Sequence, residues 1–215
     1  MSAENLARQS LASDMTVIKL TQPKISGEVS VEAAIAHRRS ERTFSDRPLS
    51  IEELSQLLWS LQGITDGKRL RAAPSAGATF PLEIFAVIGG FGAGGFPAGV
   101  YSYLPSEHSL KPRVSGDLRQ RLADAAIGQR AIATAPVSLV IAADYERTRL
   151  RYRNRTERYV HMEAGHAAQN VYLQAAALGL GTVAVGAFDD SGVKELLALT
   201  GNLQPLYILP AGHPA

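Results

Sequence analysis

Cysteine is absent from the 215 residues of this chain. The absence excludes disulfide bridges, thiolate metal sites, iron–sulfur clusters and cysteine nucleophiles. An excess of charge is also lacking, because 22 Lys and Arg face 20 Asp and Glu, which leaves a formal net charge of +2. A balance this even is not typical of a protein that binds nucleic acid.

Long apolar runs are missing as well. The most apolar stretch, residues 84–100, is interrupted by glycines and a proline. It falls short of the ~20 apolar residues that a membrane-spanning helix needs. The first residues, MSAENLARQS, lack the basic start and apolar core of a signal peptide. We therefore expect a cytoplasmic protein with no membrane partner and no nucleic-acid partner.

The composition that remains is that of a globular domain, with 46% hydrophobic and 20% charged residues. Residues 1–29 show little periodicity and are interpreted as an extended arm, with a crossing to a partner subunit left open. Residues 30–215 are interpreted as a single domain, which suits their length.

Periodicity and capping signals predict both helices and strands. Ser50 and Glu53 are spaced as a capping box in front of a leucine stripe, and Gly63 is placed to end that helix. Helices are predicted at residues 31–39, 51–62, 117–127, 157–179 and 193–199. Strands are predicted at residues 82–89, 99–104, 109–114, 137–142, 182–185 and 206–210. Strands mixed with helices and including hairpin-like pairs indicate an α+β domain.

The long helix at residues 157–179 carries many small side chains, such as Ala164, Ala167 and Ala168. A helix that is apolar on most sides is buried, either inside its own domain or between subunits. Both interpretations stay open from the pattern alone.

Three sequence patterns resemble known functional motifs but lack a feature that each motif requires. Gly90, Gly92 and Gly95 match G-x-G-x-x-G after a strand, but the segment leads into another strand instead of a helix, so we interpret it as a hairpin loop. His161 and His166 are five residues apart and lie on different helix faces, so no metal site is expected. Ser75 lacks the first glycine of a nucleophile elbow.

Residues 146–158 read ERTRLRYRNRTER and contain six arginines. Arg149, Arg151, Arg153 and Arg155 alternate, and in an extended conformation they would share one face. Glu146 dilutes the charge and few aromatic residues interleave with the arginines. We interpret the segment as a solvated or substrate-facing loop instead of a nucleic-acid-binding stripe.

Four segments in a fixed order carry a resemblance. They are RRSERTF from residue 38, PSAGATFPLEIF from residue 74, EAGHAAQNVYLQAAALGLGTVAVGAFDD from residue 163 and PLYILPAGHP from residue 205. Together they resemble the FMN-dependent nitroreductase superfamily, and more closely its SagB-type dehydrogenase branch, which includes azoline oxidases. The resemblance covers about residues 31–213.

The resemblance implies an α+β three-layer sandwich, in which a mostly antiparallel sheet lies between helices and FMN binds at a homodimer interface. It also implies hydride transfer between NAD(P)H or another donor, FMN and a small nitroaromatic or quinone acceptor. An alternative from the same family is oxidation of azolines in a modified peptide. An alternative of another class is a non-catalytic protein that binds or stores flavin.

The resemblance also assigns residues to the cofactor. Arg38 and Ser40 would contact its phosphate and ribityl chain, and Arg42 would lie near the flavin N1–O2 edge. Residues 74–78 would run along the ring, and a backbone N–H of Gly186 or Ala187 would point at N5. Many relatives continue past the position of Ala215 with another basic residue, and here that phosphate contact is expected either to be missing or to be replaced by His213. The full set is Arg38, Arg39, Ser40, Arg42, Pro74, Ser75, Ala76, Gly77, Ala78, Ala184, Val185, Gly186, Ala187 and His213.

Arg151 and Tyr152 are the candidate catalytic residues, because azoline oxidases often carry Lys-Tyr in this region. Arginine stays protonated and is a poor general base. The phenol of Tyr152 remains as an acid or base, although its unperturbed pKa of about 10 is high for a base. We expect both side chains to line the substrate side of the flavin.

Overall fold

The structure, a computed structural model, describes residues 16–67, 69–90 and 92–215. The first half of the predicted N-terminal arm lies outside these residues. Within the described part of the arm, Ile18–Lys19 (β1) pairs with a strand of the same chain, Ser109–Ser115 (β4).

Seven α-helices and five further strands are found in the described residues. The helices are Val31–His37 (α1), Ile51–Gln62 (α2), Arg119–Ala125 (α3), Arg130–Thr134 (α4), Tyr145–Tyr152 (α5), Thr156–Ala177 (α6) and Asp190–Leu196 (α7). Besides β1 and β4, the strands are Leu82–Ile88 (β2), Gly99–Leu104 (β3), Val137–Asp144 (β5), Gly181–Thr182 (β6) and Leu203–Gly212 (β7).

The strands form one seven-stranded sheet in the order β1-β4-β3-β2-β5-β7-β6. Each pairing between named strands is antiparallel. Helices α2 and α6 pack together on one face, and α3, α4 and α7 pack together on the other. The predicted α+β fold, with helices on both sides of an antiparallel sheet, is confirmed.

Alternating side chains of the central strands supply a separate core to each face. Ile84 and Ile88 of β2 join the core beneath α2 and α6, whereas Phe85 and Val87 join the core beneath α3 and α7. This division follows from the two-residue period of a strand. Strands buried on both faces read as continuous apolar runs, which is why β2 and β5 were predictable from sequence.

The predicted capping box of α2 is confirmed. The Glu53 N–H donates to Ser50 Oγ at 3.1 Å, and the Ser50 N–H donates to Glu53 Oε2 at 2.7 Å. Leu49 and Leu54, on either side of the cap, are fully buried. The cap therefore fixes where the chain enters the helical layer.

Replacing Ser50 with alanine should lower the free energy of unfolding by about 1 kcal/mol, because one first-turn N–H loses its acceptor. Urea unfolding followed by circular dichroism measures this change. Ser106, which lies in the turn between β3 and β4, supplies a control, since Ser106→Ala removes a hydroxyl that caps no helix. An equal effect of the two substitutions would contradict the assigned role of the cap.

The arginine-rich segment differs from its prediction as an extended loop. Residues 145–152 form α5, and Arg153–Arg155 is a short 3-10 turn that leads into α6. Asp144 accepts from the Glu146 N–H at 3.1 Å and so caps the helix. The alternation of arginines is therefore incidental, and the four side chains do not share one strand face.

Smaller differences concern the ends of elements. The predicted strand at residues 182–185 is only two residues long, although Val185 and Ile208 still exchange backbone hydrogen bonds of 2.8 and 2.9 Å. Helix α4 has no capping signal in the sequence and was not predicted. The glycine-rich segment joins β2 to β3, as expected for a hairpin loop. None of the described helices is both long and apolar enough to span a bilayer.

Candidate functional site

The arginine–serine segment lies beside the short strand β6. Helix α1 ends at His37, and Arg38 turns the chain into an extended conformation with ψ of 125°. Ser40 then forms a parallel bridge with Thr182, and the Glu41 N–H donates to the Thr182 carbonyl at 3.0 Å. The sheet edge thereby brings residues 38–42 alongside Thr182, two residues before the predicted segment at residues 184–187.

Tyr172 of α6 links these two segments, and the sequence patterns did not indicate it. Its hydroxyl accepts a hydrogen bond from the Ala184 N–H at 2.8 Å. The same hydroxyl lies 3.2 Å from Ser40 Oγ. The Arg38 guanidinium lies over its ring, 5.1 Å from the centroid. One side chain thus contacts both predicted halves of the cofactor edge.

The backbone of residues 186–187 is open. In the described part of the chain, neither the Gly186 N–H nor the Ala187 N–H has a hydrogen-bond partner. A Cβ added at Gly186 would meet only the Tyr207 ring, at 3.6 Å. Two exposed, unpaired N–H groups beside a basic segment form an edge that can receive hydrogen-bond acceptors of a ligand.

The other basic residues of this edge differ in their contacts. Arg39 donates to the carbonyls of Ala36 and Arg38, at 2.9 and 2.8 Å, so its charge is directed at the end of α1. Arg42 makes one long contact, 3.4 Å to the Ser40 carbonyl, and its side chain is exposed. The Arg42 guanidinium is therefore free to meet an anionic or electron-rich group.

His213 is buried, and its Nε2 lies 3.5 Å from Glu53 Oε2. Nε2 makes no hydrogen bond among the described residues, although it is buried. The His213 carbonyl accepts from the Ser45 N–H at 2.9 Å. In this conformation the His213 ring belongs to the packing of α2, and a role in holding phosphate stays a prediction.

The loop at residues 74–78 is a tight turn with an unusual backbone. Gly77, Ala78 and Phe80 have φ angles of 58°, 53° and 45°, in the left-handed region that side chains disfavour. The Phe80 N–H donates to Ser75 Oγ at 2.9 Å, and Thr79 Oγ1 lies 2.9 Å from Thr148 Oγ1 of α5. Surrounding contacts therefore hold a strained turn, as is common at functional sites.

Arg151 and Tyr152 lie against this turn. Arg151 donates to the Gly77 carbonyl at 3.3 Å. A Cβ added at Gly77 would lie 2.6 Å from Tyr152 Oη and 2.9 Å from the Arg151 side chain. The Tyr152 ring also packs edge-on against Tyr159, with centroids 4.9 Å apart. The structure thus joins the two candidate catalytic residues to the predicted ring-side loop.

Glu163 of α6 lies beneath the same loop, and the sequence analysis did not assign it to the site. Its side chain is only 2% exposed, and Oε1 has no hydrogen-bond partner. Burial raises the pKa of this carboxyl to about 7, against smaller opposing effects of the Ser75 hydroxyl and the Ala76 N–H. The signal in the sequence was a charged residue within the buried stripe of α6.

The loop group (residues 74–78 with Arg151, Tyr152 and Glu163) and the edge group (residues 38–42 and 184–187 with Tyr172) lie on different sides of α6. Glu163 and Tyr172 are nine residues apart, which is two and a half turns, so they project about 180° from each other. Among the described residues, no hydrogen bond or ion pair joins residues 74–78 to residues 38–42 or 184–187. The two groups of predicted site residues are therefore not linked to each other directly within one chain.

Comparison with known families identifies the family of the chain. The model of the nitroreductase family matches residues 35–213. The chain belongs to the nitroreductase family. A Methanocaldococcus jannaschii protein named "Putative nitroreductase MJ1384" is 45% identical over 86% of this chain and 92% of its own length.

Proteins named for the processing of microcin B17 and trifolitoxin are also similar to this chain. The microcin B17-processing protein McbC of Escherichia coli is 30% identical over 70% of this chain and 57% of its own length. Two trifolitoxin operon proteins of Rhizobium leguminosarum match as well, at 28% and 29% identity. The chain spans just over half the length of each of these three relatives.

Solved structures show the same fold. A "putative nitroreductase" from Ralstonia eutropha superimposes with a TM-score of 0.80 at 27% identity, covering 93% of this chain and 90% of that one. A chain of the E. coli microcin synthetase McbBCD complex with truncated pro-MccB17 bound superimposes with a TM-score of 0.72 at 27% identity. That match covers 100% of this chain and 84% of the other.

The helical residues His161 and Glu163 have different surroundings. His161 is exposed and lies 2.7 Å from Tyr145 Oη, whereas Glu163 points into the core. In the part of the chain that the structure describes, no three His, Cys, Asp or Glu residues are arranged to hold a metal ion.

Proposed function

We propose that this protein is an FMN-dependent oxidoreductase that moves hydride between NAD(P)H and a small acceptor of the nitroaromatic or quinone type. The observation that carries the proposal is the edge formed by Arg38, Ser40 and Arg42 beside the unpaired N–H groups of Gly186 and Ala187. A basic, donor-rich edge of this kind suits an anionic cofactor with a planar, acceptor-rich ring.

FMN, when bound, supplies a ring that can accept and return a hydride. The chain supplies the surroundings that hold it. The Arg38 guanidinium and the Ser40 hydroxyl bind phosphate or ribityl oxygens, since charged donors make strong hydrogen bonds to phosphate. The exposed Arg42 would supply positive charge to a bound flavin, and the free N–H groups of residues 186 and 187 would be available to donate hydrogen bonds to its ring.

A second copy of the chain completes the site in this proposal. The half-turn between Glu163 and Tyr172 directs the loop group and the edge group to opposite sides of α6. In a homodimer about this helix, the loop of one subunit can face the edge of the other. Exposed positions on α6, such as Met162, Gly165 and Gln169, leave one side of the helix open to a partner.

Peptide azoline oxidation is the second candidate, and the position of Tyr152 favours it. The phenol lies beside Gly77 in the ring-side loop, where an acid or base would be needed. The similarity to McbC supports this candidate. Arg151 weakens it, because a guanidinium stays protonated and cannot act as the base that a lysine provides.

Arg38→Ala should raise the dissociation constant of FMN by about 10- to 100-fold, because a charge-assisted hydrogen bond contributes about 1.5–3 kcal/mol. Quenching of FMN fluorescence on titration with protein measures the constant. Arg121→Ala is the matched control, since Arg121 is exposed on α3 at the other face of the sheet. Equal affinity of wild type and Arg38→Ala would contradict the assigned edge.

Anaerobic mixing of the FMN-loaded protein with NADH or NADPH tests the reaction itself. Bleaching of the flavin absorbance, followed by recovery when a quinone or nitroaromatic is added, is the expected result. Retained FMN that neither nicotinamide nucleotide bleaches would contradict the reductase proposal. Such a result would favour the non-catalytic flavin-binding alternative or a different hydride donor.

A further inference from the structure

Tyr172 has three contacts at the cofactor edge, and their directions can be worked out. The Ala184 N–H must donate to the Tyr172 oxygen, because an amide N–H cannot accept. The phenol then has one hydrogen of its own to donate. Among the described residues, Ser40 Oγ is the one acceptor in reach, at 3.2 Å.

The direction of the second bond decides what Ser40 can do. If Tyr172 donates to Ser40 Oγ, the Ser40 hydroxyl is left with its own hydrogen free and exposed. The reverse direction would leave the phenol hydrogen without an acceptor. A series of hydrogen bonds from the Ala184 N–H through the Tyr172 hydroxyl to the Ser40 hydroxyl pairs the first two donors and leaves the Ser40 hydrogen for a ligand. Each bond in such a series polarises the next and strengthens its donor.

We propose that Tyr172 is a positioning residue that orients the Ser40 hydroxyl as a hydrogen-bond donor to an oxygen of the ribityl phosphate of FMN. This proposal rests on the proposed FMN site and assigns a direction to one of its contacts. Arg38 adds to the arrangement, because its guanidinium lies over the Tyr172 ring and so brings a positive charge to the same edge. The Ala184 bond also ties residues 184–187 to the phosphate side of the site.

The test measures FMN and riboflavin dissociation constants for wild type, Ser40→Ala, Tyr172→Phe and the double variant. Tyr172→Phe keeps the ring beneath Arg38 and removes the hydroxyl alone. We expect it to weaken FMN binding about tenfold, close to the effect of Ser40→Ala. The double variant should bind FMN no more weakly than Ser40→Ala, because both changes interrupt the same series of hydrogen bonds.

Riboflavin identifies the acceptor, since it lacks the phosphate. A loss confined to FMN assigns the bond to a phosphate oxygen, and an equal loss on riboflavin assigns it to the ribityl chain. Both outcomes support the donor role. Additive effects of the two substitutions, or wild-type affinity in Tyr172→Phe, would overturn it.

Tyr101→Phe is the control for a general structural effect of losing a tyrosine hydroxyl. Tyr101 is buried and donates to the Pro97 carbonyl at 2.6 Å, on β3 and away from the edge. Its loss should lower stability without changing FMN affinity. If Tyr172→Phe does not fold, Ser40→Thr and Ser40→Ala carry the test, because only threonine keeps the donor. Failure of wild type to bind FMN would instead count against the proposed function.

Discussion

Replacing Glu163 with glutamine should change how the stability of the protein depends on pH. The folded pKa of about 7 lies above the ordinary value of 4.5, so the folded state binds the proton more tightly than the unfolded state. The stability that the protonated carboxyl contributes is complete below pH 4.5 and is lost as the pH rises to 7. Glutamine cannot ionise and is not subject to this loss.

The size of the expected stability change follows from the shift in the pKa of Glu163. One pKa unit corresponds to about 1.4 kcal/mol, so the stability of Glu163→Gln relative to wild type should rise by about 2 kcal/mol between pH 5 and pH 8. Urea unfolding of both proteins at four pH values in this interval measures the difference. Taking the difference cancels the groups that the two proteins share.

Glu157→Gln supplies the matched control for this prediction. Glu157 is exposed in the first turn of the same helix, α6, so its replacement should leave the difference from wild type nearly constant with pH. A Glu163→Gln difference that is equally flat from pH 5 to pH 8 would show that Glu163 is ionised in the folded protein at an ordinary pKa.

Replacing Gly77 with alanine should disrupt the loop half of the site and lower turnover at least about tenfold. The added Cβ would lie 2.6 Å from Tyr152 Oη, so the candidate catalytic side chains must move. Displacement of a reacting group by about 1 Å commonly lowers rates by a factor of about 100. Steady-state NAD(P)H oxidation with a quinone acceptor measures the loss.

Gly128→Ala separates this collision from plain backbone strain. Gly128 has φ of 71°, close to the 58° of Gly77, but a Cβ there would meet nothing within 4 Å. Both substitutions should destabilise the fold by about 1–2 kcal/mol, because both place a side chain in the left-handed region. Equal turnover in the two variants would contradict the placement of Arg151 and Tyr152 at the Gly77 turn.

Much of the fold was predictable because its signals are local. The capping box of α2 and the apolar runs of β2 and β5 depend on a few neighbouring residues. The arginine-rich segment was predicted as a loop because its many charged residues show no apolar periodicity, whereas residues 145–152 form a helix. Its helix is decided by the Asp144 cap and by packing of α5 on α6, and the packing cannot be seen in a short window.

The site was predictable only in part, for a related reason. Arg38, Ser40 and residues 184–187 carry family patterns, but the contacts that join them pass through Tyr172, which is far away in sequence. Tyr172 lies within a helix whose residue pattern is typical of a buried, packed helix. The placement of Glu163 and Tyr172 on opposite sides of α6 also depends on helix geometry, which a linear motif does not show.

The visible spectrum of the purified protein, after incubation with FMN and removal of the excess, tests the central claim most directly. The account predicts a retained yellow chromophore that is released as FMN on denaturation, and that Arg38→Ala retains less of it than Arg121→Ala. A folded protein that stays colourless after this treatment would contradict the FMN site, and with it the proposed reaction.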